Sequence, residues 1–212
     1  MGIYEFAGCV VSYEPLYGLL RRRMETYRSD TEGQPDITLD GTKEDYEKLR
    51  KQYPHLSIEE CEYSCAGAEF YMKLLKHQGF MIHASAVEKE GKAYLFSAPS
   101  GTGKSTHAQL WRQTFKGEPI RIINDDKPAV CLQNGVFYAC GTPFSVKTDK
   151  NENRKAPIQG LCMLHRGKTN KIQKITSGEA LPLILPQTLF YGDEEETNLL
   201  LSFLDRFLQS VP

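Results

Sequence analysis

Ala93-Tyr94-Leu95-Phe96-Ser97 is a short apolar run of strand type, and Ala98-Pro99-Ser100-Gly101-Thr102-Gly103-Lys104-Ser105-Thr106 follows it without a break. Next comes His107-Ala108-Gln109-Leu110-Trp111-Arg112-Gln113, free of Gly and Pro and readable as a helix. Strand, glycine-bearing loop and helix in that order turn successive backbone N–H groups toward a common point, to which the helix N-terminus adds partial positive charge. This is the layout of a phosphate-binding loop. It predicts that Lys104 reaches the β- and γ-phosphates of a nucleotide and that the Ser105 hydroxyl ligates Mg²⁺, with Ser100, Gly101, Thr102, Gly103 and Thr106 completing the cradle. The usual pattern, G-x-x-x-x-G-K-[ST], opens here on Ala98. At a strand end with negative φ alanine is tolerated, whereas positive φ would cost it about 1–2 kcal/mol.

The flanking pattern decides the kind of sheet. Upstream, residues 80–87 read as a strand that turns at Lys89-Glu90-Gly91-Lys92 into the loop strand. Downstream, residues 120–124 are followed by 129–133 and 136–140, joined by the tight-turn pair Asn134-Gly135. Strands over 161–165 and 171–175 and helices over 179–189 and 197–208 complete this half. Hairpins on both sides of the loop predict an α/β fold of α+β character, a mixed and largely antiparallel sheet with flanking helices around the loop. In the N-terminal part, residues 3–13 read as one strand and 35–40 as a short second one. A helix starts at Thr42-Lys43-Glu44-Asp45 and stops before Pro54, and another covers 66–78, where Phe70, Leu74 and Leu75 recur at helical spacing ahead of Gly79. The basic run Arg21-Arg22-Arg23 reads as a solvated face. The expected organisation is an N-terminal α+β lobe over 1–79, the natural place for acceptor recognition, and a phosphate-loop domain over 80–212.

At 212 residues the chain can bury a real core, and 40% hydrophobic with 25% charged residues is ordinary for a globular protein. A net charge of −1 gives no electrostatic reason to expect nucleic acid or an anionic membrane as partner. No apolar run reaches the ~20 residues of a membrane span, and no signal-peptide pattern opens the chain, so the expected location is cytoplasmic. Cys9, Cys61, Cys65, Cys131, Cys140 and Cys162 are then expected to be reduced thiols, and none is spaced for zinc.

Ile120-Arg121-Ile122-Ile123-Asn124-Asp125-Asp126 delivers two carboxylates at the end of an apolar strand about twenty residues after Lys104. In phosphate-loop proteins the second acidic element sits at such a strand end and meets Mg²⁺. Neighbouring side chains on a strand point to opposite faces, so one carboxylate can serve the metal while the other takes a proton from an acceptor hydroxyl. His83, in the strand that hairpins into the loop strand, is a candidate neighbour of the γ-phosphate, with a structural role as the alternative. His107, in the first helical turn, is not assigned a role.

Met81-Ile82-His83-Ala84-Ser85-Ala86-Val87, the loop over 97–106 and Asn124-Asp125-Asp126-Lys127 together resemble the kinase domain of the HPr kinase/phosphorylase superfamily, which is related in fold to ATP-dependent phosphoenolpyruvate carboxykinase. Gly141-Thr142-Pro143-Phe144-Ser145 and the stretch from Ala156-Pro157-Ile158 to His165 are similar to its smaller kinase-like members, some associated with peptide modification. The match spans residues 80–189. It implies ATP and Mg²⁺, with transfer of the γ-phosphoryl group to the serine hydroxyl of a peptide, a small protein or free serine. It further implies that Lys104 grips phosphates, Ser105 ligates Mg²⁺, Asp125 accepts the proton, Asp126 meets the metal and His83 orients the aspartates, the two Asp roles being exchangeable. Lys147 and Arg154, in the polar segment 146–155, are candidates for substrate charge contacts, with a solvated loop as the alternative. Two features depart from HPr kinases proper: Thr106 stands where they carry Glu, and their C-terminal arginine-rich signature has no counterpart. Two other readings remain, a carboxykinase-like enzyme acting on a small carboxylate and a nucleotide-binding regulatory module without turnover.

Overall fold

The computed structural model describes residues 1–115, 117, 119–145, 150–189 and 192–212. The stretch expected as one strand over 3–13 is a hairpin, β1 (Gly2–Phe6) and β2 (Cys9–Tyr13) pairing antiparallel with Gly2 opposite Tyr13. The reversal is made by Ala7 and Gly8, at φ 54° and 77°. Two residues with positive φ form the tight turn that suits strand twist, and with alanine in the first place the turn carries no Asn-Gly signal. The basic run lies on α1 (Gly18–Met24), whose Leu20 and Met24 point inward. β3 (Ile37–Thr38) runs parallel to β2 and completes a three-stranded sheet.

α2 (Lys43–Gln52) begins at Thr42 with a capping box closed by Asp45. α3 (Ile58–Leu74) starts well before the expected residue 66. Its first turns read as polar, but Ser57 and Glu60 form a capping box, and the fully buried Glu62 points inward as an acceptor. Glu62 takes the N–H groups of Leu16 and Tyr17, at the start of α1, and the Tyr13 hydroxyl. Burial pushes its carboxyl up from the ordinary value, and these donors offset part of that shift.

The remaining strands are β4 (Gly79–Met81), β5 (Ala84–Lys89), β6 (Lys92–Ser97), β7 (Arg121–Asn124), β8 (Ala129–Gln133), β9 (Val136–Cys140) and β10 (Lys155–Met163). They form one sheet in the order β4-β8-β9-β10-β6-β5-β7, in which only β10 and β6 run parallel. The expected mixed, largely antiparallel α/β fold is therefore the observed one. β10 belongs to both halves of this sheet. Its first three residues pair with β9, and from Ile158 onward, with an irregularity between Ile158 and Gly160, it pairs with β6.

The expected strand over 80–87 is broken into β4 and β5 by Ile82 and His83. These strands stand at the first and sixth places of the order. Five spacings of a flat sheet would separate them by roughly 24 Å, yet three Cα steps reach only about 11 Å. The sheet must therefore curl until its ends meet. β7 and β8 are joined in the same way across residues 125–128. The two crossings run side by side, Ile82 N–H donating to the Pro128 carbonyl and Ala84 N–H to that of Asp126.

Helices cover both faces. α4 (Lys104–Thr114) packs Ala108 and Trp111 on Tyr94 and Phe96, while α6 (Glu194–Ser210) buries Leu200, Phe203, Leu204 and Phe207 in the core shared with Ala93 and Leu95. α5 (Ser177–Ile184) opens at a Thr176–Glu179 capping box and continues as a 3-10 turn over Leu185–Gln187. The expected strand over 171–175 is absent; this stretch is exposed coil, with Ile172 at 89% exposure. All six cysteines are free thiols. Among the described residues no helix is long and apolar enough to cross a membrane.

Candidate active site

The glycine-bearing loop over 98–106, the candidate phosphate loop, lies between β6 and α4, the strand and helix its sequence predicts. Gly101 and Gly103 have φ of 78° and 121°, and a Cβ at either would meet nothing within 4 Å. Backbone conformation, not space, is what demands glycine at both positions. Ala98 is buried and stays out of the positive-φ region. α4 begins at Gly103 with no side-chain cap and no acidic residue in its first turn, which leaves its positive end facing the loop. Lys104 is only 7% exposed, and its Nζ donates to the Ala98 carbonyl at 2.8 Å. A charge-assisted bond from that ammonium to an anion in the loop is stronger than its bond to a neutral carbonyl.

Asp125 and Asp126 lie just past β7, in the crossing to β8, not on the strand itself. Asn124 shapes this bend: its side-chain oxygen accepts the N–H groups of Asp126 (2.9 Å) and Lys127 (2.8 Å), and its amide donates to Thr142. Tyr71, from α3, donates to the Lys127 carbonyl and shares a 2.8 Å hydrogen bond with the Thr142 hydroxyl. Burial holds the Tyr71 phenol well above its ordinary pKa. The segment 141–145 is held in turn by Phe144, which packs on α3 where Gly67 leaves room for its ring.

The two carboxylates face different partners. Asp125, 2% exposed, accepts the Ser85 hydroxyl at 2.6 Å, and its N–H donates to the Lys150 carbonyl. Asp126, 6% exposed, lies 3.6 Å from His83 Nε2. His83 is fixed on three sides: its N–H donates to the Gln187 carbonyl, its carbonyl accepts the Ser97 hydroxyl, and Nδ1 lies 3.2 Å from Gln187 Oε1. Ala84 stands opposite Ser97 in the β5–β6 ladder, so His83 and the residue before the phosphate loop occupy the same end of the sheet.

A cleft of about 330 Å³ opens beside the loop, between Ala98, Pro99 and Thr102, the Arg166 stretch after β10, and Pro182 of α5. Gln187 also lines it, so one residue touches both the cleft and His83. This volume falls within the range of small-ligand sites. Among the described residues no three His, Cys, Asp or Glu side chains converge as a metal cage. Ser105 and Asp126 are the residues that could hold a Mg²⁺ ion, which takes one or two carboxylates and completes its shell with phosphates and water.

The remaining sequence candidates lie elsewhere. Arg154 forks onto Glu88, with Nε at 2.8 Å and Nη2 at 3.2 Å, and Glu88 sits four residues along β5 from Ala84. That is roughly 13 Å from the loop end. Lys147 falls outside the described residues. Thr106 is exposed on the first turn of α4, and His107 packs its ring 4.4 Å from that of Phe96. Four contributors carried no assignment in the sequence: Ser85, Asn124, Gln187 and Arg166, whose guanidinium donates to the Gly101 carbonyl. Ser85 and Asn124 belong to the motifs already singled out, whereas nothing local marks Gln187 or Arg166.

No protein-family model matches the chain, and a search of curated proteins finds no match. Among solved structures, the HPr(Ser) kinase/phosphatase from Coxiella burnetii aligns over 61% of this chain and 90% of its own, at 14% identity and a TM-score of 0.33. A likeness of that depth assigns neither family nor activity.

Proposed function

We propose that this protein is an ATP- and Mg²⁺-dependent phosphotransferase that moves the γ-phosphoryl group to a serine hydroxyl of a peptide or small protein. One observation carries the reading: an uncapped phosphate loop with a buried lysine and a bend holding two buried carboxylates lie at the same end of the β5–β6 ladder.

The loop N–H groups and Lys104 bind the phosphate oxygens. Ser105 and Asp126 would hold Mg²⁺, which supplies charge neutralisation on the phosphates. Asp125 accepts the proton of the acceptor serine as its oxygen bonds to the γ-phosphorus and the bond to the β-phosphate oxygen breaks, leaving ADP. Ser85 fixes the rotamer of that base through Oδ1, and His83 with Gln187 holds Asp126 in place. Phosphoryl transfer asks a protein chiefly for positioning and electrostatics, and these groups supply both. ATP as substrate agrees with a cytoplasmic protein.

The test is transfer of radiolabelled γ-phosphate from ATP to a pool of serine-containing peptides and to free serine. The wild-type protein is expected to label a serine acceptor in Mg²⁺ and not in excess chelator. ATP bound with no acceptor labelled would instead favour a regulatory nucleotide-binding module.

A further inference from the structure

Between β10 and α5 the chain runs through Leu164-His165-Arg166-Gly167-Lys168-Thr169-Asn170-Lys171-Ile172-Gln173-Lys174-Ile175-Thr176 without a strand or helix. Every residue from His165 to Glu179 is exposed. The stretch holds four cations and no acid. It contributes +4 to a chain whose net charge is −1, which leaves the rest at −5. Among the described residues none of Arg166, Lys168, Lys171 and Lys174 forms a salt bridge. Single exposed lysines are ordinary, but cations gathered in one unpaired strap on an otherwise acidic molecule form a field of one sign.

Both ends of the strap border the phosphate cleft. At its start Leu164 N–H donates to the Ser97 carbonyl at 2.8 Å, one residue before the loop, and Arg166 holds the Gly101 carbonyl within it. At its finish the Thr176 cap leads into α5, whose Pro182 and Leu183 line the same cleft.

We infer that residues 164–176 form a docking strap for an acidic peptide, which presents its serine to the adjacent phosphate loop. The substrate role of that peptide rests on the proposed phosphotransferase reading; the docking itself does not. An acidic peptide fits better than a nucleic acid for two reasons. The strap has no Phe, Tyr or Trp on which a base could stack, and the remainder of the chain repels a polyanion longer than the strap. Ile172, at 89% exposure among the lysines, offers an apolar contact that a peptide side chain can cover.

The probe is a fluorescein-labelled octapeptide with six Asp or Glu residues around one Ser, with a Lys-for-acid counterpart and a labelled oligothymidylate as competitors for the assignment. Binding is read by anisotropy on the full chain without nucleotide. An exposed charge pair changes an equilibrium severalfold, so removing three compounds to about tenfold or more. Lys168→Glu/Lys171→Glu/Lys174→Glu is therefore expected to weaken the acidic peptide by at least that factor, as is raising salt from about 50 to about 300 mM. Lys48→Glu/Lys51→Glu, on α2, is expected to stay within about twofold of wild type. The Mg-ATP melting shift of the triple variant should match wild type, which shows that it folds. The inference is overturned if the triple variant binds the acidic peptide as wild type does, if the basic peptide binds as well, or if oligothymidylate binds more tightly. Strap-dependent binding without any phosphoryl transfer would sink the phosphotransferase reading and leave the strap standing. Transfer to a neutral serine peptide with no strap-dependent binding would do the reverse.

Discussion

The phosphate loop and the aspartate bend meet at one end of the β5–β6 ladder, yet they are built by opposite means. The loop is contiguous: residues 98–106 bring their own glycines, lysine and helix start, and Lys104 rests on a carbonyl only six residues away. The bend is assembled from distant parts, with Asp125 held by Ser85 from 40 residues away and the Lys127 carbonyl by Tyr71 from 56. A loop of this kind can thus be carried as a motif, while the bend to which we assign the chemistry depends on the curl of the sheet and on α3.

That contrast predicts separable losses. Asp125→Asn is expected to lower phosphoryl transfer about 10²–10⁴-fold, the usual contribution of a positioned base, while calorimetry still finds Mg-ATP bound. Lys104→Ala is expected to lower transfer about 10²–10³-fold and to abolish the Mg-ATP melting shift. If Asp125→Asn instead lost nucleotide binding and kept transfer on saturation, the division between the two regions would be wrong.

Stability should divide along the same line. Asn124→Ala leaves the buried N–H of Asp126 and the half-buried N–H of Lys127 without their acceptor and is expected to cost about 1–3 kcal/mol of global stability, read as a lower urea midpoint. Gly103→Ala forces a Cβ onto a backbone at φ 121° and is expected to cost about 1–2 kcal/mol. Because no other atom crowds that site, the cost should be relieved by opening the loop, so it appears as weaker Mg-ATP binding more than as a lower midpoint. An equal fall in midpoint for both variants would erase the distinction.

The smallest effect belongs to His107, whose burial against Phe96 lowers its pKa below the ordinary 6.5. Above about pH 6.5 the ring is neutral in both states and its share of stability is complete. Below that, the unfolded chain takes up the proton first, so stability falls as pH falls. Melting midpoints of wild type and His107→Gln, compared from pH 7.5 down to 5.5, should draw together toward the acid end. Parallel curves would remove His107 from this account.

The same contrast explains what the sequence could and could not say. Hairpins around the loop were legible because Asn134-Gly135 and the 89–92 turn are local, and so was the Thr42 capping box. The break at Ile82-His83 was not, because the residues that take the backbone hydrogen bonds of His83, Gln187 and Ser97, lie in other elements. The Ala7-Gly8 turn lacked a turn pair, and the first turns of α3 lacked apolar spacing because their buried side chains include a carboxylate that caps α1. The residue types of the candidate site could be named from the sequence. Their neighbours, Ser85 on Asp125 and His83 beside Asp126, depend on a closure that no local pattern carries.

The central claim is that loop and bend together move a phosphoryl group, and phosphorus-31 NMR tests it most directly. The full chain with Mg-ATP and a serine-containing peptide pool should lose the γ resonance of ATP and gain a phosphoserine monoester resonance, and Asp125→Asn should leave the spectrum unchanged over the same time. ATP that stays intact beside a folded, Mg-ATP-stabilised wild-type protein at every serine acceptor tried would contradict the account.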